Sequence, residues 1–231
     1  MKIPFIYFTK KDWILWSISM IVVLGANIMS PEFDMVVMIA ALIGVTSLIF
    51  AAKGNVWSQI LIIVFSILYG IISFRFRYWG EMVTYLGMTL PMAVWSTVTW
   101  IKNPSETEGE VKISTITRQK WVLLLVLTIV VTCLFYFILR FFNTPNLAVS
   151  TLSVTTSFLA ASLTILRSPY FALCYAMNDL VLIVLWILAT MKNPVYFPVI
   201  INFAIFFIND IYGFVNWRKR ESSDKKAHHE E

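Results

Sequence analysis

The chain has 231 residues, of which 59% are hydrophobic and only 13% charged, whereas an average soluble domain carries about 25% charged residues. That composition excludes an ordinary water-soluble domain and implies an all-α polytopic membrane protein, because apolar stretches of about 20 residues, enough to cross a hydrocarbon core of about 30 Å, recur along its whole length. The net charge of +5 does not point to a nucleic-acid partner, since the Lys and Arg residues sit in short loops and at the termini rather than along one face.

Taken in chain order, the apolar runs predict eight transmembrane helices, at 13 to 30, 35 to 52, 55 to 74, 82 to 101, 121 to 139, 147 to 166, 169 to 191 and 195 to 217. The first, "KKDWILWSISMIVVLGANIMS", has the basic and apolar parts of a signal peptide but no convincing cleavage site, and reads as a retained helix. The separators "SPEFD", "AAKGN", "RFRYWGE", "NTPN", "RSP" and "KNP" combine charge with Pro, Gly or Asn, which end helices. Pro91 falls inside the fourth run and is expected to kink it. Cys133 and Cys174 lie inside apolar runs and read as small buried hydrophobes. The only histidines, His228 and His229, belong to the charged tail, so neither a metal nor another cofactor is expected.

Threading the eight runs alternately through a bilayer puts Lys2, Lys10, Lys11, Lys53, Lys102, Lys112, Arg118, Lys120, Arg167 and the tail residues Arg218, Lys219, Arg220, Lys225 and Lys226 on one side. The other side receives only Arg75, Arg77, Arg140 and Lys192. Positive charge marks the cytoplasmic side, so both termini of this multi-pass protein are expected there. The one long loop, "KNPSETEGEVKISTITRQK", divides the chain after the fourth helix.

That division exposes an internal likeness. "WSTVTWIK" (Trp95 to Lys102) closes the fourth helix and "YGFVNWRK" (Tyr212 to Lys219) closes the eighth, with an aromatic, a small residue, Val and Trp in one register before a basic stop. "AAKGNVW" aligns with "ILRSPYF" in the same way. Chance is the competing explanation, because Trp and Tyr are common at membrane interfaces, where Trp57, Trp100 and Trp217 are expected to anchor. The expected organisation is an N-terminal segment with an accessory helix (1–34), a first three-helix repeat (35–102), a loop with a connecting helix (103–146), a second three-helix repeat (147–217) and a charged tail (218–231). One connecting helix restores chain direction, so the repeats are parallel, as in SWEET-like transporters, with binding expected near the midplane between them.

Polar residues recur at helical spacing inside several runs. Asn202, Asn209, Tyr212 and Asn216 share one face of the last helix, with Asp210 about 100° away. The seventh offers Tyr175, Asn178, Asp179 and Trp186; the fourth Tyr85, Met92, Trp95 and Thr99; the third Gln59, Ser66, Tyr69 and Ser73. An unpartnered amide in hydrocarbon costs several kcal/mol, so these faces must meet another helix or a cavity. Two readings stand. Such groups glue helices together, which suits Ser66 and Ser73, or they line a site for a small planar hydroxylated solute, with aromatic rings stacking and amides hydrogen-bonding. Asp179 stands apart as an intramembrane carboxylate that could bind a proton or a cation. Glu81, near a loop, and Asp210, near the basic stop, carry less information.

From about Ala40 to Arg220 the chain resembles the PnuC family of bacterial nicotinamide riboside transporters. The resemblance is carried by "AAKGN" with Trp57 and Tyr69, "YWGE" with Tyr85, "LP" at Leu90 and Pro91, "WSTVTW", "NDLVLIVLW" and "INDIYGFVNW". It implies the three-plus-one-plus-three fold, a homotrimer, and facilitated diffusion of an unphosphorylated vitamin precursor trapped by phosphorylation for NAD biosynthesis. It also implies amide ligands at Asn178, Asn202 and Asn209, aromatic ligands at Trp186 and Tyr212, and a counterpart of the family's tryptophan at Trp95. One departure is visible: family members carry Gln-Trp and a further Trp early in the penultimate helix, where this chain reads "SPYFALCYAMND", which leaves thiamine or another nucleoside open as cargo. The expected function is import of nicotinamide riboside or a similar vitamin by alternating access, without enzymatic activity; a lipid-modifying membrane enzyme and a non-transporting scaffold are the readings of other classes.

Overall fold

The protein is described by a computed structural model covering residues 4–75 and 77–230, with side chains as far as Asp224. The expectations placed on Lys2, Lys225, Lys226, His228 and His229 lie outside the described side chains. After a short 3-10 turn, Thr9 opens α1 (Lys10–Ile28) with a capping box: its backbone N–H donates to Asp12 Oδ2 at 2.7 Å while the Asp12 N–H donates back to its hydroxyl. Asp34 caps α2 (Met35–Ala52) by accepting from the Val36 N–H at 2.8 Å, and Asn55 accepts from the first N–H of α3 (Trp57–Arg75) at 3.0 Å. There follow α4 (Trp79–Thr84), α5 (Leu90–Ile101), α6 (Arg118–Phe141), α7 (Leu147–Ile165), α8 (Tyr170–Thr190) and α9 (Phe197–Glu230).

Seven of these segments are long and apolar enough to cross a membrane: α1, α2, α3, α6, α7, α8 and the stretch Pro194–Asp224. The run expected at 82 to 101 is divided instead, with a π-helical turn at Tyr85–Thr89 joining α4 to α5. Pro91 is the cause. It has no N–H and its ring would meet the carbonyl one turn back, so the helix widens just before it and the Leu90 N–H reaches to the Tyr85 carbonyl. The last helix also outruns its expected end at 217, since the charged tail continues it to Glu230.

The packing falls into matching pairs. α2 packs on α3 as α7 packs on α8; α3 packs on α5 as α8 packs on α9; α2 meets α9 as α7 meets α5. The turns between the helices of the first two pairs match in detail: Gly54 (φ 67°) and Arg167 (φ 56°) are both left-handed, and the next residue donates back to a helix carbonyl at 3.0 Å in each, Asn55 to Phe50 and Ser168 to Leu163. This corrects the alignment of "AAKGNVW" with "ILRSPYF" by one residue, placing Gly54 rather than Lys53 opposite Arg167.

Trp100 and Trp217 are corrected too. Neither is an interface anchor, being 1% and 0% exposed. Trp100 Nε1 donates to the Thr164 carbonyl of α7 at 2.9 Å, Trp217 Nε1 to the Ala51 carbonyl of α2 at 2.8 Å, and the two rings meet at 5.7 Å.

The long loop lies across this pair of tryptophans. Its Val111 is fully buried against them. The Val111 N–H donates to the Gly54 carbonyl at 2.9 Å and the Ser114 N–H to the Arg167 carbonyl at 3.1 Å, so the loop binds both left-handed turns. Arg220 fastens it from α9, through Glu110 and the Val111 carbonyl, each at 2.8 Å.

α1 lies outside the paired set, against α2 and α9. Three polar contacts hold it antiparallel to α9: Tyr212 donates to Asp12 at 2.6 Å, Asn209 to Ser19 at 2.9 Å, and Asn27 to Asn202 at 3.2 Å. Lys53 completes the first, 3.1 Å from Asp12.

Candidate functional site

A cavity of about 170 Å³ opens where α2, α3, α4 and its π turn converge with α7, α8 and α9. Each helix brings one face. On α9 the spacing Phe203, Phe206, Asp210 turns two rings and a carboxylate inward; on α8 the inward positions are Tyr175, Asn178, Asp179, Leu182 and Trp186. The π turn presents Tyr85 beside Tyr69 of α3, with rings 5.0 Å apart, and Phe65 continues that wall 4.5 Å from Tyr69. Across the cavity Trp186 packs on Tyr196 at 5.4 Å. Small residues of α2 and α7, among them Gly44, Ser47, Ser153 and Ser157, leave the space between these walls.

The Oδ1 of Asn178 accepts from Thr156 at 2.8 Å and from Ser157 at 3.1 Å, which fixes the amide and leaves its two N–H groups for the cavity. Asp179, 5% exposed, is neighboured by Asp210. No N–H or cationic group among the described residues reaches its Oδ2. Glu81 also lines the cavity, within electrostatic reach of Tyr69 and Tyr85. The chemistry on offer is aromatic stacking, one oriented amide donor pair and three carboxyl groups.

The structure therefore gathers Tyr69, Tyr85, Asn178, Asp179 and Trp186 around one space. It places the other four expected site residues elsewhere. Asn202, Asn209 and Tyr212 are turned toward α1, where they bond Asn27, Ser19 and Asp12, while Asn202 Nδ2 and Asn209 Oδ1 stay buried without a partner among the described residues. Trp95 is 65% exposed on the outer surface of α5, since the helix face that buries Trp100 cannot also bury a residue five positions earlier. Two cavity residues, Glu81 and Asp210, carried little weight in the sequence. The signal for Asp210 was its spacing from Phe203 and Phe206, a second stripe on α9 masked by the more conspicuous asparagines.

Membrane-length helices closed around an aromatic and polar cavity define the class, a multi-pass helical carrier of small solutes. Residues 34–219 match the model of the nicotinamide mononucleotide transporter family, and the chain belongs to that family. It is 28% identical over 188 residues to the nicotinamide riboside transporter PnuC of Neisseria mucosa, covering 78% of this chain and 71% of that one. It is 23% identical over 222 residues, 95% of each chain, to the nicotinamide riboside transporter PnuC of Haemophilus influenzae. In fold it is similar to the crystal structure of the vitamin B3 transporter PnuC, with a TM-score of 0.78, 23% identity and 92% of each chain covered.

Proposed function

We propose that the protein moves nicotinamide riboside, or a closely similar vitamin or nucleoside, across a bacterial inner membrane by facilitated diffusion with alternating access. The observation that carries this reading is the cavity itself, set where the two groups of paired helices meet and walled by Tyr69, Tyr85 and Trp186 with the Asn178 amide among them. A nucleoside needs such surroundings: flat rings to stack against and fixed donors for its hydroxyls or carboxamide. The two named relatives support the choice of cargo.

In the same reading the segment 79–101 counts as an eighth span, α1 is accessory, α6 connects, and the sets α2–α3–α5 and α7–α8–α9 are parallel repeats that rock against each other. The matching helix contacts, left-handed turns and tryptophan hydrogen bonds support this. The face bearing the long loop and both termini is cytoplasmic, in line with its basic residues. The assembly is a homotrimer, to be tested by the mass of the purified particle.

Uptake into proteoliposomes is the test. Facilitated diffusion predicts that internal riboside rises to the external level and stops there, and that Trp186→Ala slows entry at least tenfold with the fold retained. Accumulation above that level under an imposed pH gradient, abolished by Asp179→Asn, would instead establish proton coupling. Failure of any vitamin or nucleoside to enter would end the transport reading.

A further inference from the structure

The carboxyl groups of the cavity come from three separate elements, Glu81 from α4, Asp179 from α8 and Asp210 from α9. No Lys, Arg or His is among the residues that line it. Elsewhere the protein pairs its buried acid with a base, as Lys53 does for Asp12 at 3.1 Å. Here it does not. Asp179 is 5% exposed, Asp210 4%, and the two side chains meet each other across α8 and α9. A buried carboxylate without a counter-charge is costly, and most costly where the surroundings are apolar. The walls beside the acids are Tyr69, Tyr85 and Trp186, whose ring faces attract cations and not anions.

Resting on the reading of the protein as a vitamin or nucleoside carrier, we propose that Glu81, Asp179 and Asp210 select cargo by charge, favouring a cationic heteroaromatic ring over the same ring in neutral form. The positive charge missing from the cavity is then supplied by the cargo. Nicotinamide joined to ribose through its ring nitrogen is a pyridinium cation. Adding a phosphate brings roughly −1.5 to −2 charge at neutral pH, which the cavity holds no base to offset. The family description names the mononucleotide while both relatives are named for the riboside; these differ by that phosphate, and the cavity's charge favours the riboside.

Binding to the purified full-length protein, followed by calorimetry and thermal shift, separates charge from shape. Four probes are needed: nicotinamide riboside, its neutral 1,4-dihydro form, nicotinamide mononucleotide, and thiamine as a cation of different outline. The proposal expects the riboside to bind at least tenfold more tightly than its dihydro form and the mononucleotide not to bind. Asp210→Asn, Asp179→Asn or Glu81→Gln, which keep the side-chain shape, should bring the riboside to dihydro ratio toward one; the wild-type comparison needs no variant. Equal affinity for the two ribosides, or tight binding of the mononucleotide, overturns charge selection and leaves the carrier reading standing. Thiamine binding with neither riboside bound sustains charge selection and removes the riboside. No response to any probe by a correctly folded protein overturns both.

Discussion

The asparagines of α9 carry a lesson at the scale of single residues. Periodicity placed Asn202, Asn209 and Tyr212 on one face and physical chemistry required that face to be partnered; α1 supplies partners through Asn27, Ser19 and Asp12, though Asn202 Nδ2 and Asn209 Oδ1 stay unpaired among the described residues. What the spacing could not supply was the identity of the neighbour, because hydrogen bonding to a helix and lining a cavity impose the same pattern on a sequence. Asp210, one residue along and about 100° around the helix, is the group that reaches the cavity. Asn209→Ala should accordingly lower thermal stability by about 1 kcal/mol, the size of one interhelical hydrogen bond, while riboside affinity stays within twofold. Trp95→Ala should change neither. A tenfold loss of affinity in Asn209→Ala, measured on protein of unchanged helicity, would return that amide to the binding site.

At the scale of elements, seven helices were legible because a membrane demands long apolar runs, and their observed ends lie within a few residues of those read from the sequence, except that α9 runs on through the charged tail. The π turn was not legible. Pro91 announces a disturbance, yet whether the helix answers with a kink or an added residue depends on packing, here of Leu86 against Gly70 and of Met88 in a buried cluster with Phe135 and Leu139. The extra residue sets the angle between α4 and α5 around their common axis. Deleting Gly87 should close the turn to an ordinary α-helical one and swing Glu81 and Tyr85 by about 100° relative to α5, costing at least tenfold in affinity with circular dichroism unchanged. Retention of full affinity would mean that the π turn does not aim these side chains. The register between the matching turns escaped the sequence for a related reason: Gly54 and Arg167 share a left-handed backbone but no side-chain chemistry.

On the scale of the molecule, α1 and the long loop occupy opposite roles around the paired helices, one supporting α9 from outside and the other bridging the two turns. The attachment of α1 rests on Asp12, which is fully buried and held by Tyr212, Lys53 and Thr9. Tyr212→Phe removes a hydrogen bond to a charged group, worth about 2 kcal/mol, and should lower the unfolding temperature and expose α1 to proteolysis before the remaining helices. The loop has a consequence for the order in which the protein is made. Its backbone bond to Gly54 is available early, but that to Arg167 does not exist until α7 has been synthesised and inserted, and Arg220 comes later still. Contacts between distant stretches of chain form late, so the loop is the last part to settle although it lies near the middle of the sequence. Ribosome-stalled chains ending before residue 160 should be cut in the loop by added protease, and chains extended beyond residue 220 should resist.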